Sequence, residues 1–224
     1  MSISEAIAAS LVVLSIIALG LAALVLRRYW LERRVCYLYW GLGLFLFFVT
    51  LVEEAVLDFG VWSQPLIQSY LVLVAVLVGI LSMGSAEISL ARRWRWPYYG
   101  YLGVTSVALA VVGFTTSIST GIISDGVVSG LPPASIDLIS SLITFPAAVL
   151  LVVSALYGVV KYRRYHLLYI AIGTGVISAA GTLYLVSFPA TLYYAEFLGI
   201  LLLFLGFVRI PRIAPGPTQQ AHAA

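Results

Sequence analysis

The chain alternates long apolar runs with short polar segments, and seven of the runs are long enough to cross a membrane. They cover residues 5–26, 36–58, 65–90, 98–118, 136–160, 165–187 and 190–208. Because a helix needs about 20 apolar residues to cross the hydrocarbon core, the pattern predicts an all-α membrane protein. We expect a seven-transmembrane-helix bundle over residues 1–208 and a short disordered cytoplasmic tail over residues 209–224. The first run is too long for a signal peptide and lacks a cleavage motif, so we interpret it as a retained helix.

The composition supports the membrane assignment. Hydrophobic residues make up 62% of the 224 residues and charged residues 9%, whereas about a quarter of a soluble domain is charged. So few charges cannot cover a surface that faces water, which excludes a soluble globular domain. The single cysteine, Cys36, excludes a disulfide within the chain.

Basic residues are confined to alternate predicted loops and to the C-terminal tail. All twelve Lys and Arg residues lie in segments 27–34, 92–97, 161–166 and 209–212. The predicted opposite side carries acids and no basic residue: Glu5, Asp58, Asp125 and Asp137. Because Lys- and Arg-rich loops stay in the cytoplasm, the pattern predicts an outside N-terminus and a cytoplasmic C-terminus. We expect a multi-pass protein of the plasma membrane.

The stretch TLVEEAVLDFG, residues 50–60, places three acids at the end of the second apolar run. On a helix, Glu54 and Asp58 share a stripe that begins at Gly43, whereas Glu53 is turned about 100° away. Glu54 lies roughly 6–8 Å from the outer end of its helix, at about 1.5 Å per residue. Glu196 in helix seven has a comparable predicted depth. Two helices are therefore predicted to place carboxylates in the outer third of the membrane.

Acids within a membrane are rare and by default indicate a functional site. We predict a polar outer cavity that binds a proton, a cation or a cationic ligand. The candidate binding residues are Glu54, Glu196, Glu53, Asp58, Tyr70 and Tyr193. In the alternative interpretation, Glu53 and Asp58 reach headgroup water. Glu54 and Glu196 then hydrogen-bond neighbouring hydroxyls such as those of Tyr70 and Tyr184.

Other positions are predicted to have structural roles. Small residues at helical spacing are typical of helix–helix contacts; they are Ala75, Gly79, Ser82 and Ala86 in helix three, and Ala171, Gly175 and Ala179 in helix six. Pro146 lies mid-span in helix five and is expected to kink it. Glu87, near the inner end of helix three, is expected to pair with an interfacial arginine.

The longest predicted loop covers residues 119–135 and is rich in Gly, Ser and Pro. This composition predicts irregular structure. Two interpretations are open, a cap over the outer mouth and a flexible connector.

The sequence lacks the residues that several kinds of membrane chemistry require. The only lysine, Lys161, falls in a predicted cytoplasmic loop, which excludes a retinal Schiff base in helix seven. Two histidines, His166 and His222, are too few for a buried haem or copper site with several histidine ligands. No GxSxG, HExxH or P-loop motif occurs. We therefore predict no catalytic residue and no metal site, and the sequence identifies no cofactor.

Several short strings resemble a family of uncharacterised prokaryotic seven-span membrane proteins. They are Trp40, Glu54 and GVW (60–62) around helix two, Tyr70 and LSMGS (81–85) in helix three, Leu131–Pro132, ALYG (155–158) and AEFLGILLLFLGF (195–207). The likeness spans about residues 27–207, and Asp137 departs from it where the family pattern has a basic residue. The helix pattern is also similar to the seven-span input region of some sensor kinases. The resemblance implies a membrane module and adds weight to Glu54 and Glu196.

The sequence predicts a non-enzymatic membrane module, a sensor or accessory subunit that binds a ligand or partner in the membrane. The alternative is a proton- or cation-linked transporter or channel that uses the outer carboxylates. A lipid-directed enzyme is a third hypothesis, disfavoured because no nucleophile or metal set is present. The inner helix halves offer few polar residues, and this scarcity favours the module over a polar path through the membrane. The polar residues are Ser82, Ser85, Ser89 and Thr174. Expected partners are the lipid bilayer and other membrane proteins, including copies of this chain, but not nucleic acid.

Overall fold

In the computed structural model, the protein is a bundle of long α-helices. The structure describes residues 3–118, 123–124, 127–128, 132–162, 168–170, 172–173, 175–176, 198–199, 201–203 and 205–206. Five helices are defined there: α1 (Ile3–Glu32), α2 (Val35–Asp58), α3 (Gln64–Ser89), α4 (Arg92–Thr115) and α5 (Ala134–Tyr162). The described residues between positions 168 and 206 are also α-helical, in the regions predicted for the sixth and seventh spans.

The apolar character of these helices fits a membrane. By length and composition, five helices of the described chain are able to cross one. Large apolar side chains such as Val107 on α4 and Phe145 on α5 remain mostly exposed, as expected for surfaces that face lipid. The prediction of a predominantly helical protein is therefore confirmed and its apolar helices are compatible with a membrane, whereas the total of seven spans, their orientation and the choice of membrane stay predictions.

Consecutive helices from α1 to α4 pack antiparallel, and α3 contacts α2, α4 and α5. The α1–α2 turn at residues 33–34 and the α3–α4 turn at residues 90–91 lie at one end of the bundle, here named the basic end. The α2–α3 turn at residues 59–63 lies at the opposite end, here named the acidic end. The names follow from the arginines beside the first two turns and from the acids before the third.

Two segments predicted as loops are helical instead. Helix α1 continues through residues 27–32, and α4 begins at Arg92, before Pro97. Arg and Glu favour helix as strongly as most apolar residues, so hydropathy locates the lipid-compatible part of a helix and not its end. The Arg95 side chain also holds the start of α4, because its Nε donates to the Leu90 carbonyl at 2.9 Å.

Small residues on α3 allow close helix packing, as predicted. Ala75, Gly79, Ser82 and Ala86 are all buried. The tightest approach is at Gly84, where an added Cβ would overlap the Trp40 ring and lie 2.9 Å from the Cys36 carbonyl oxygen on α2. The α2 and α3 backbones therefore lie so close at Gly84 that no side chain fits between them.

The predicted contact stripe of the sixth span is wrong at Gly175. This residue is exposed, with no atom of the described residues within 4 Å of an added Cβ, whereas Gly173 is buried and an added Cβ there would lie 2.7 Å from the Gly199 carbonyl oxygen. The stripe is offset because neighbouring helices, and not spacing alone, select which small residue is covered. Ala171 and Ala179 lie outside the described residues.

Pro146 lies inside α5, which the structure shows as one continuous helix. Proline has no N–H, so the carbonyl four residues earlier, that of Leu142, loses its helical donor. The Tyr101 hydroxyl on α4 donates to this carbonyl at 2.6 Å. A neighbouring helix thus supplies the hydrogen bond that the proline removes, as membrane helices require.

The long loop contains a short antiparallel pair, β1 (Ile123–Ser124) and β2 (Val127–Val128), so it is not irregular throughout. Ile123 pairs with Val128, and Ser124 pairs with Val127. Strand β2 lies against α2. Part of the loop therefore packs on the helix that carries Glu53 and Glu54.

Candidate functional site

The turn between α2 and α3 sets the geometry of the acidic end. The Val61 N–H donates to the Val56 carbonyl and the Gly60 N–H to the Leu57 carbonyl, which is a Schellman motif. Gly60 has the positive φ of 79° that this motif needs, a conformation that glycine adopts without strain. The chain reverses here, and α3 begins with Pro65 in its first turn.

This reversal brings Glu53 on α2 against Ser69 on α3. The Ser69 hydroxyl donates to Glu53 Oε1 at 2.7 Å, and its oxygen also lies 2.9 Å from the Leu66 carbonyl of its own helix. The other carboxylate oxygen, Glu53 Oε2, is buried and has no hydrogen-bond partner within the part of the chain that the structure describes. The described surroundings therefore satisfy one oxygen of this carboxylate and not the other.

Glu54 is the more deeply buried of the two glutamates, with 9% of its surface exposed. On α2 it lies between Glu53, which faces α3, and Ala55, which packs on the α1 side. Val52, roughly 200° around the helix from Glu54, is exposed. Glu54 thus points into the bundle and away from the lipid-facing side.

The remaining candidates divide into two groups. Tyr70 follows Ser69 on α3 and is half-buried, which places it on a helix that lines the site. Asp58 ends α2, but only its backbone is described. Tyr193 and Glu196 lie outside the described residues, so the predicted meeting of Glu54 with Glu196 stays a prediction.

A second polar cluster, which we name the Glu87 cluster, joins α3 to α4 at the basic end. Glu87 Oε2 accepts a hydrogen bond from Arg95 Nη1 at 2.6 Å, and Oε1 accepts one from the Tyr99 hydroxyl at 2.7 Å. The Ser82 and Tyr98 hydroxyls are hydrogen-bonded to each other at 2.6 Å, also between these helices. The prediction that Glu87 pairs with an arginine is confirmed, and its partner is Arg95.

Sequence reasoning missed Ser69, Tyr98 and Tyr99. The signal for the tyrosines was their place about one turn after Arg95, opposite Glu87 once α3 and α4 form an antiparallel pair. For Ser69 the signal was weaker, because its pairing with Glu53 depends on the length and shape of the α2–α3 turn. Both sets of contacts depend on the register between neighbouring helices, which the hydropathy pattern does not specify.

The arrangement at the acidic end suits recognition of a cation or hydrogen-bond donor more than bond-making chemistry. Two neighbouring carboxylates offer acceptor oxygens, and the described residues include no Lys or Arg at that end. Within the described ranges, no group of three or more His, Cys, Asp or Glu residues is placed to hold a metal ion. The geometry of the acidic end thus supports a binding site.

Comparisons with protein families, with curated proteins and with solved structures find no match to this chain. The likeness to seven-span prokaryotic proteins and to sensor-kinase input regions therefore stays a prediction.

Proposed function

We propose that this protein is a non-enzymatic membrane module that binds a ligand or partner protein through its acidic end, as a sensor or accessory subunit. One observation carries the proposal, the unsatisfied oxygen of Glu53. Its Oε2 atom is buried without a hydrogen-bond partner among the described residues, while Oε1 is fixed by Ser69. Burial of an unpaired polar atom costs free energy, and a bound group that donates to this oxygen recovers it.

Charge gives the bound group its chemical character. The described Lys and Arg residues all lie at the basic end or at the end of α5, and Glu53 and Glu54 lie at the opposite end. A cation, or a cationic group on a ligand or partner helix, is complementary to this pair. If the basic end faces the cytoplasm, the site opens towards the outside of the cell, where a sensor would meet its signal.

The distribution of polar groups favours a binding module over a through-path. Between the acidic-end and basic-end polar groups, α3 has only apolar residues from 71 to 81, and α2 has only apolar residues from 41 to 49. The α3 stretch is about 16 Å long. Ser82 and Glu87 beyond it are hydrogen-bonded to α4. The α2–α3 interface thus lacks the polar lining that ion conduction needs.

The alternative is proton- or cation-linked transport, which the position of Glu53 and Glu54 in an apolar span supports. Flux into liposomes that contain the purified protein tests it, with Glu54→Gln and Glu196→Gln beside the parent. Asp137→Asn is the control, because Asp137 is an exposed acid in the first turn of α5. Transport is excluded if the parent shows no flux, and the acids are excluded from transport if flux is unchanged in both glutamine variants.

Retention of a partner tests the module directly. The protein is purified from its native membrane, and co-purifying lipids, small molecules and proteins are identified by mass spectrometry. We expect a component that the parent and Asp137→Asn retain and that Glu53→Gln loses. Equal retention by all three proteins would remove Glu53 from the binding site and overturn the proposal.

A further inference from the structure

The basic end has a strongly charged surface that the proposed function does not use. Among described residues it carries seven cationic side chains and two carboxylates, Glu32 and Glu87. Glu87 is already paired with Arg95. The cationic residues are Arg27, Arg28, Arg33, Arg34, Arg92, Arg93 and Arg95. This excess of positive charge is complementary to an anionic partner.

Exposed tryptophans lie among these arginines. Trp30 is 67% exposed, Trp94 59% and Trp96 72%. The Arg33 guanidinium carbon lies 5.1 Å from the centre of the Trp30 ring, within the range of a cation–π contact. Tryptophan in membrane proteins concentrates at the level of the lipid headgroups. The contact with Trp30 therefore places the Arg33 charge beside a residue type that is typical of the headgroup level.

Arg33 has a strained backbone conformation. Arg33 has a φ of 52°, the left-handed conformation at the end of a helix, which costs a non-glycine residue about 1 kcal/mol. Helices commonly place glycine there, as this chain does at Gly60 after α2. Glycine at this position would relieve the backbone, so a substitution there can remove the charge without straining the turn.

We propose that the α1–α2 turn binds the headgroup phosphate of an anionic phospholipid. Arg33 and the adjacent Arg34 are both exposed and are the direct ligands, with Trp30 beside the headgroup. A phospholipid fits better than an acidic protein because charge and tryptophan occur together at one level of a membrane-embedded bundle. The site is separate from Glu53 and Glu54, which lie at the other end of α2.

The test compares the full chain in nanodiscs of phosphatidylcholine alone and in nanodiscs that also contain phosphatidylglycerol. Unfolding temperature and lipid retention by native mass spectrometry are measured for the parent, Arg33→Gly and Arg33→Asn. Both substitutions suit the left-handed backbone and remove the charge. Lys161→Gln is the control, because it removes one charge in the last turn of α5, on a different helix from the α1–α2 turn.

We expect phosphatidylglycerol to stabilise the parent and Lys161→Gln alike. The two Arg33 variants should be at least as stable as the parent in phosphatidylcholine, yet gain little from phosphatidylglycerol and retain it about fivefold less well, the effect of one basic side chain at an anionic surface. The proposal fails if the Arg33 variants keep the full gain, if Lys161→Gln loses as much, or if the parent shows no gain. It also fails if inorganic phosphate added in phosphatidylcholine reproduces the gain, because the ligand would then be the free anion.

Discussion

Glu87 and Glu53 are glutamates on adjacent helices, one at the basic end and one at the acidic end, and their surroundings differ. Both oxygens of Glu87 have partners, Arg95 and Tyr99. Glu53 has Ser69 on one oxygen and no hydrogen-bond partner for the other among the described residues. A buried carboxylate whose oxygens are all satisfied holds helices together, whereas one that is half satisfied is available to something else.

A third carboxylate limits this comparison. Glu32 Oε2 is also buried without a hydrogen-bond partner within the described chain. Glu32 is next to Arg33 in the sequence and one helical turn from Arg28, so basic residues lie at its end of the bundle. Glu53 has no described basic residue at its end of the bundle. The difference between the two ends is therefore one of charge as well as of hydrogen bonding.

The largest expected effect is at the close α2–α3 contact. Gly84→Ala places a methyl group against Trp40 and 2.9 Å from the Cys36 carbonyl oxygen, and the latter cannot rotate away. We expect a loss of about 3 kcal/mol in the free energy of unfolding, measured by chemical denaturation in mixed micelles. Gly103→Ala is the control, because no described atom lies within 4 Å of its added Cβ. Similar stability of the two variants would show that the helices are not in tight contact.

A smaller effect is expected where α4 supplies a hydrogen bond to α5. Tyr101→Phe removes the hydroxyl that donates to the Leu142 carbonyl, and we expect a loss of about 1 kcal/mol in the free energy of unfolding. The same substitution in a Pro146→Ala background should cost nothing, because an alanine at that position supplies its own N–H to the carbonyl. An equal loss in both backgrounds would separate Tyr101 from the proline.

The smallest effect on stability is expected at the acidic end. Ser69→Ala removes the donor to Glu53 Oε1, but water or a bound group can replace it, so we expect a loss of less than about 1 kcal/mol. Retention of the ligand or partner should nevertheless fall. Ser154→Ala is the matched control, since among described residues the Ser154 hydroxyl donates only to a carbonyl of its own helix. Unchanged retention in Ser69→Ala would mean that Ser69 does not position Glu53.

The predictions from sequence succeeded for features that depend on one helix alone, namely its apolar length and its buried face. Five spans follow from apolar length, and the burial of Glu54 follows from its place on the helix. The helical segment 27–32 was missed because hydropathy reports compatibility with lipid and not helix formation. Glu53 was assigned to headgroup water in the alternative interpretation, yet it contacts Ser69. Gly173, and not Gly175, makes the close contact with Gly199. Both differences arise because hydropathy does not specify the register between neighbouring helices.

The most direct test of the difference between the two ends compares Glu87→Gln with Glu53→Gln in the same nanodiscs. Glu87→Gln leaves Arg95 without its counter-charge, and we expect a loss of about 2 kcal/mol in the free energy of unfolding, since both side chains are partly exposed. Glu53→Gln keeps an acceptor for Ser69 and should be no less stable than the parent. A loss in Glu53→Gln as large as that in Glu87→Gln would show that both carboxylates are structural, and would contradict a binding site at the acidic end.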